Sequence, residues 1–139
     1  MRTSLRRRPF GLLLLPLALL VCSLSSADQA DADGTRHPYF NDRGTLRWFH
    51  SYAAAKATAQ REGKMIFIEY GRKRCSNCKK LAQNVLPHSQ IRGRISSIAI
   101  GLSAECDSPE REVRSLLRKH LPNARSLPFV AYVTPRGRW

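Results

Sequence analysis

Cys75 and Cys78 stand three positions apart in "YGRKRCSNCKKL", residues 70–81, beside the basic side chains of Arg72, Lys73, Arg74, Lys79 and Lys80. Thiols at this spacing can close a disulfide across one tight turn, supply half of a metal site, or simply lie close together. For the first of these the reacting form is the thiolate, because thiolate and not thiol attacks a disulfide. Placed where a helix begins, Cys75 meets free backbone N–H groups and the positive end of the helix dipole, and the surrounding cations add to that field. Cys78, one turn further along, is then the more buried sulfur and resolves a mixed disulfide formed at Cys75. A structural zinc site wants four ligands, and a second C-x-x-C is absent. Cys106 with His88 or His120 could complete such a set, but at a spacing that matches no zinc pattern. Haem attachment needs histidine directly after the second cysteine, where Lys79 stands.

A redox pair of this kind needs a strand before it and a helix after it, and the flanking residues supply both. "KMIFIEYG", residues 64–71, is a short apolar strand closed by Gly71, with Glu69 as a carboxylate in a run that otherwise reads as buried. "CKKLAQNVL" continues as a helix with Cys78, Leu81 and Val85 on one face, bent or ended by Pro87. Upstream, Trp48, Tyr52, Ala55 and Ala59 fall at helical spacing, with Thr45 as N-cap and Gly63 as stop. Downstream, "SSIAIGL" reads as a second strand and "SAECD" as its loop. A third helix follows, capped by Ser108, with Pro109 first and Val113, Leu116, Leu117 and Leu121 inward. "LPFVAYV" is a third strand, and Thr134-Pro135-Arg136-Gly137 a turn. Alternating helices and strands predict a three-layer α/β domain around a central sheet.

The chain of 139 residues leaves room for one such domain. Arg2, Arg6, Arg7 and Arg8 precede the apolar run "PFGLLLLPLALLVCSL", and small residues follow, which together describe a secretory signal peptide over residues 1–27. The run is shorter than the ~18 apolar residues of a membrane-spanning helix, so no stable span is expected once the signal is cleaved. Residues 28–44, "DQADADGTRHPYFNDRG", are polar and broken by glycine and proline, and read as a flexible leader that contains His37. The domain proper is expected over residues 45–139. His50, His88 and His120 read as surface or helix-end residues.

Removing residues 1–27 takes away four arginines and no acid, which lowers the net charge from +14 to +10. Such a surplus attracts nucleic acid, anionic membrane or acidic protein. The arginines are scattered, however, and no nucleic-acid reading motif accompanies them, so nucleic acid is not the expected partner. Cys22 leaves with the signal, so Cys75, Cys78 and Cys106 remain, a couple and a spare.

These features together resemble the thioredoxin superfamily, and in particular its secreted disulfide oxidoreductases. The likeness runs from about Leu46 to Trp139. It rests on "CSNC" at a strand-to-helix junction, on Glu69 six residues before Cys75, and on Leu127-Pro128-Phe129 leading the last strand. The resemblance implies a thioredoxin-like α/β/α sandwich with a mixed sheet. It implies a buried Glu69 that exchanges a proton with Cys78 during resolution, and a cis-Pro128 that lets the Leu127 backbone pair with an extended substrate. Arg74 stands where the family usually has tryptophan, and Ser76-Asn77 where it often has Gly-Pro; that dipeptide influences which thiol form is favoured, so the resemblance does not set whether clients are reduced or oxidised. The chain stops at Trp139, short of the family's last strand and closing helix.

The expected activity is extracytoplasmic thiol–disulfide exchange through Cys75 and Cys78, in the periplasm or outside the cell. Electrons move through the sulfurs, so neither metal nor organic cofactor is called for. The expected partners are protein thiol and disulfide clients and an unidentified redox partner, met by a monomer. Two other classes compete: a thioredoxin-like binding or chaperone module without turnover, and a basic protein that binds nucleic acid or membrane surface.

Overall fold

The computed structural model describes residues 36–138. The expected signal peptide and residues 28–35 of the expected leader lie outside the described residues. Strand β2, Met65–Gly71, is the axis of the domain. β-Branched and aromatic residues favour extended backbone there, and successive side chains face opposite ways. Ile66 and Ile68 join one apolar cluster, while Phe67 joins the other.

Three further strands complete a mixed sheet of order β1-β3-β2-β4: β1 is Trp48–Phe49, β3 Ala99–Glu105 and β4 Phe129–Val133. Both β1 and β2 run parallel to β3, and β4 runs antiparallel to β2. Helices α1, Tyr52–Glu62, and α4, Arg111–His120, cover one face through Tyr52, Ala55, Ala59 and Val113. The opposite face packs Trp48 and Phe67 against Leu86 and against Ile95 of α3, Ser89–Ile98. This is the three-layer α/β arrangement that the alternation of elements predicts. Gly63 ends α1 in the left-handed region (φ 65°), where glycine carries no Cβ penalty.

The structure departs from the sequence reading in several places. Trp48 lies in β1 and not on α1, whose cap is Ser51 and not Thr45. The reason lies across the sheet: Trp48 pairs with Gly101, and a Cβ there would come within 2.5 Å of the indole. Only a glycine leaves room for that ring. Thr45 instead closes a turn, its hydroxyl donating to the Asp42 carbonyl at 2.6 Å. After α2, Ser76–Lys80, the chain makes a wider π-helical turn over Leu81–Val85, with the Leu86 N–H donating to the Leu81 carbonyl at 2.9 Å. That extra residue per turn rotates the helix, so Ala82 and Leu86 face the core and Val85 is exposed.

"SSI" at residues 96–98 ends α3 and does not open a strand, and Ser103, Ala104 and Glu105 belong to β3 and not to a loop. Helix α4 starts two residues later than Ser108 and Pro109 suggest, with Glu110 at its N-cap. The Glu110 carboxylate instead accepts the Tyr52 N–H at 3.0 Å and so ties the start of α1 to the start of α4.

The flexible leader also needs correction over residues 36–44. His37 and Asp42 are buried. Asp42 accepts the backbone N–H groups of Gly44 (3.1 Å) and Leu46 (3.0 Å) and the Trp48 indole N–H (2.7 Å). Polar residues that read as solvated are spent on satisfying backbone and indole donors, which is how an irregular segment becomes part of a core. Among the described residues, no helix is long and apolar enough to cross a membrane.

Candidate active site

The parallel strands β2 and β3 end side by side, and the Cys106 N–H donates to the Gly71 carbonyl at 2.8 Å. Residues 72–75 then turn over this edge into α2, whose N-cap is Cys75 in extended backbone. Cys75 and Cys78 are joined by a disulfide with their Cα atoms 5.2 Å apart. Cys75 Sγ accepts the Cys78 backbone N–H at 3.1 Å, so the first sulfur faces a donor at the start of the helix. Cys78 is fully buried and Cys75 half-buried. Arg72, Lys73, Arg74, Lys79 and Lys80 are all exposed around them. An attacking sulfur must meet a client and a resolving sulfur must not, and the two burials differ in that sense.

Glu69 lies beneath, 2% exposed. Gly71 separates it from the disulfide: a Cβ on Gly71 would stand 2.9 Å from Cys78 Sγ and 3.4 Å from Glu69 Oε1. Cys78 Sγ and Glu69 Oε1 therefore flank one small space that glycine keeps open. The other carboxylate oxygen, Oε2, lies 2.5 Å from His37 Nε2. Sequence reasoning missed His37, placing it in a solvated leader. A signal was available in "HPYF", a histidine and two aromatics together in an otherwise polar stretch. The ring packs edge-on against Trp48 with centroids 4.5 Å apart.

The Leu127-Pro128 peptide is cis. Antiparallel pairing of Tyr70 with Phe129 brings this loop beside the cysteines, and Asn77 Nδ2 donates to the Leu127 carbonyl over a long 3.5 Å. A groove of about 560 Å³ runs from there, lined by Tyr70, Arg72, Cys106, Leu127 and Phe129 among others. Arg74 lies outside it, in a smaller cleft with Lys73 and Glu105. Burial, and then the neighbouring Asp107 carboxylate, push the Cys106 thiol up. Glu105, Cys106 and Asp107 bring three potential ligand atoms within 4.8 Å of one another. Neither His88 nor His120 belongs to that group. His88 caps α3, and His120 ends α4.

A mixed sheet flanked by helices, a disulfide at a strand-to-helix junction and a cis-proline beside it define the class of a thioredoxin-like redox domain. The thioredoxin-like family matches residues 47–135, and the chain belongs to it. Among solved structures it is similar to a thioredoxin from Thermus thermophilus, at 23% identity and a TM-score of 0.51, over 68% of this chain and 69% of that one. No curated protein sequence matches the chain. The family and the close cysteine pair together indicate a redox function.

Proposed function

We infer that this chain is an exported thiol–disulfide oxidoreductase acting on protein disulfides. The observation that carries the reading is the asymmetry of the pair: Cys75 half-buried at the N-cap, Cys78 fully buried behind it. In the dithiol form, Cys75 thiolate attacks a client disulfide, forming a Cys75–client bond and releasing the first client thiolate, which takes a proton from solvent. Cys78 then gives its proton to Glu69 and attacks Cys75 Sγ. The Cys75–client bond breaks, the second client thiolate leaves, and the Cys75–Cys78 disulfide closes. The client is reduced by two electrons and the pair is oxidised by two; the reverse sequence oxidises a client dithiol. The half-buried Leu127-Pro128 edge and the exposed Arg74 are where an extended client backbone docks. The arginine-rich leader with its short apolar run supports export, to the periplasm or beyond the cell.

The test is a redox titration in glutathione buffers, with alkylated thiols counted by mass. A two-electron transition confined to Cys75 and Cys78 is expected, and Cys75→Ser abolishes turnover. A potential near thioredoxin's ~−270 mV marks a reductant and one near ~−120 mV an oxidant. Independent titration of the two thiols overturns the reading, and binding of clients unaffected by Cys75→Ser points to a module without turnover.

A further inference from the structure

A carboxylate that accepts the Cys78 proton must itself be held in place beside the sulfur. We propose that His37 is a positioning residue for this proton exchange, a neutral donor fixed in one tautomer that turns the free oxygen of Glu69 toward Cys78. The proposal rests on the redox reading of Cys75 and Cys78.

The tautomer follows from the hydrogen bonds. His37 Nδ1 accepts two backbone N–H groups, from Tyr39 and Phe40, each at 3.2 Å. A ring nitrogen that accepts has its lone pair in use and carries no hydrogen. The imidazole proton is therefore on Nε2, where it faces Glu69 Oε2, 2.5 Å away. With Nδ1 occupied by both backbone donors, the ring presents Nε2–H to Glu69. With side-chain exposures of 1% for His37 and 3% for Glu69, water does not compete for this bond. A buried carboxylate needs partners, and His37 gives the Glu69 carboxylate a side-chain donor.

Fixing Oε2 determines Oε1. That oxygen faces the space beside Gly71 which Cys78 Sγ also borders. When Cys78 S–H transfers its proton, it goes to Oε1, the O–H forms there, and the freed thiolate attacks Cys75 Sγ as already described. The His37 Nε2–H bond to Oε2 persists through the step. Its register partners, Ser103 on β3 and Val130 on β4, carry no charge, and Glu105, two residues beyond Ser103 on the same face of β3, accepts the Tyr39 hydroxyl. From α2 the titratable neighbour is Cys78. On the histidine's own segment, the Asp42 carboxylate is taken up by Gly44, Leu46 and Trp48, and the Tyr39 hydroxyl turns outward to Glu105. The proton exchange therefore has Cys78, Glu69 and His37 as its participants.

Two isosteric variants separate positioning from folding. The His37→Asn amide oxygen reproduces Nδ1 and keeps the turn to Tyr39 and Phe40, but does not reach Glu69. The His37→Gln amide nitrogen reproduces Nε2 and keeps the donor to Glu69. The experiment measures the rate at which Cys78 resolves a Cys75 mixed disulfide with a thiol-labelled peptide, from pH 5 to 9, on the wild-type protein and both variants. Expected is a loss of about tenfold at neutral pH for His37→Asn, with a displaced pH profile, and near wild-type rates for His37→Gln; general acid–base groups contribute on the order of 10²–10⁴-fold, of which positioning is part. In a Glu69→Gln background, His37→Asn should then cause no further loss. Unchanged rates and profile in His37→Asn would overturn the proposal, as would equal slowing of both variants with the wild-type profile. A wild-type protein without a two-electron couple would instead overturn the redox reading, and this inference with it.

Discussion

The two faces of β2 are built from the same seven residues and do different work. On one side Ile66 and Ile68 enter a cluster with Phe49, Ala55, Ile100, Leu102, Ala131 and Val133, in which every buried member but Tyr52 is wholly apolar. On the other side Phe67 is followed by Glu69, and the buried neighbours include His37, Asp42 and Trp48. Apolar burial is non-directional and tolerates many arrangements, whereas buried polar groups are stable only with their partners in place. The difference teaches where the domain obtains its stability and where it fixes geometry. Each face has its own way of failing.

The largest effect is expected on the apolar face. Ile68→Ala removes a side chain that is 1% exposed, at the centre of the sheet, and should lower the unfolding free energy by about 2–5 kcal/mol. Because Ile68 points away from Glu69, the potential of the cysteine pair should not move. Denaturant midpoints and a redox titration of the same variant check both halves of the statement, and a shifted potential would break the division between the faces.

Next comes Gly101→Ala on the polar face. The new Cβ would stand 2.5 Å from Trp48 Cε3, and the indole cannot simply turn aside, since its N–H is bonded to Asp42. Overpacking of this kind is worth about 1–3 kcal/mol. Here the expected signature is double: lower stability, and a changed Trp48 fluorescence as the ring and its hydrogen bond shift. Loss of stability with Trp48 emission unaltered would mean that the strain relaxes elsewhere.

These two predictions also mark what was legible in the sequence. The apolar face was, because Ile66, Ile68 and the alanines of α1 announce themselves by type and spacing. So were the cysteine junction, the strand carrying Glu69 and the turn at Gly137, whose N–H donates to the Thr134 carbonyl at 2.8 Å. The polar face was not. His37 and Glu69 are 32 positions apart, and no local pattern shows that an irregular segment will reach across to a strand. Trp48 followed a helical period by coincidence, and only its pairing with Gly101 decided for β1. Helix α3 was hidden in the same way. Ile91 and Ile95 have helical spacing, yet Gly93 and a run of serines and β-branched residues obscured it.

A smaller effect is expected at the end of the sheet, where the third cysteine contrasts with the pair. Burial first and Asp107 second push the Cys106 thiol up, so it stays protonated to higher pH than a free cysteine. At pH 8 it should alkylate more slowly than the same thiol in the unfolded chain, and Asp107→Asn should speed it a few-fold by removing the second cause. Mass-resolved iodoacetamide labelling reads this directly. No change on Asp107→Asn would leave burial as the whole explanation.

The smallest effect sharpens the comparison from outside the core. Arg47 and Glu62 form an ion pair, and like His37 and Glu69 they join a nitrogen donor to a carboxylate, but their side chains are 38% and 28% exposed. The bond from Arg47 holds the Glu62 carboxyl below its ordinary value, with Lys64 adding a lesser pull. A carboxyl lowered in the folded state contributes stability above its unfolded value, and that contribution disappears as pH falls through the folded one. Glu62→Gln should therefore reduce stability at pH 7 by less than about 1 kcal/mol, and by nothing at a pH where Glu62 is protonated in both states. Salt should shrink the neutral-pH difference, because exposed pairs are screened. The same salt series should leave the ratio of the His37→Asn and wild-type resolving rates unchanged, since the His37–Glu69 bond is buried. A salt response in both pairs would mean that the polar face is wetter than its burial indicates, and the contrast between directional core and solvated surface would fail there first.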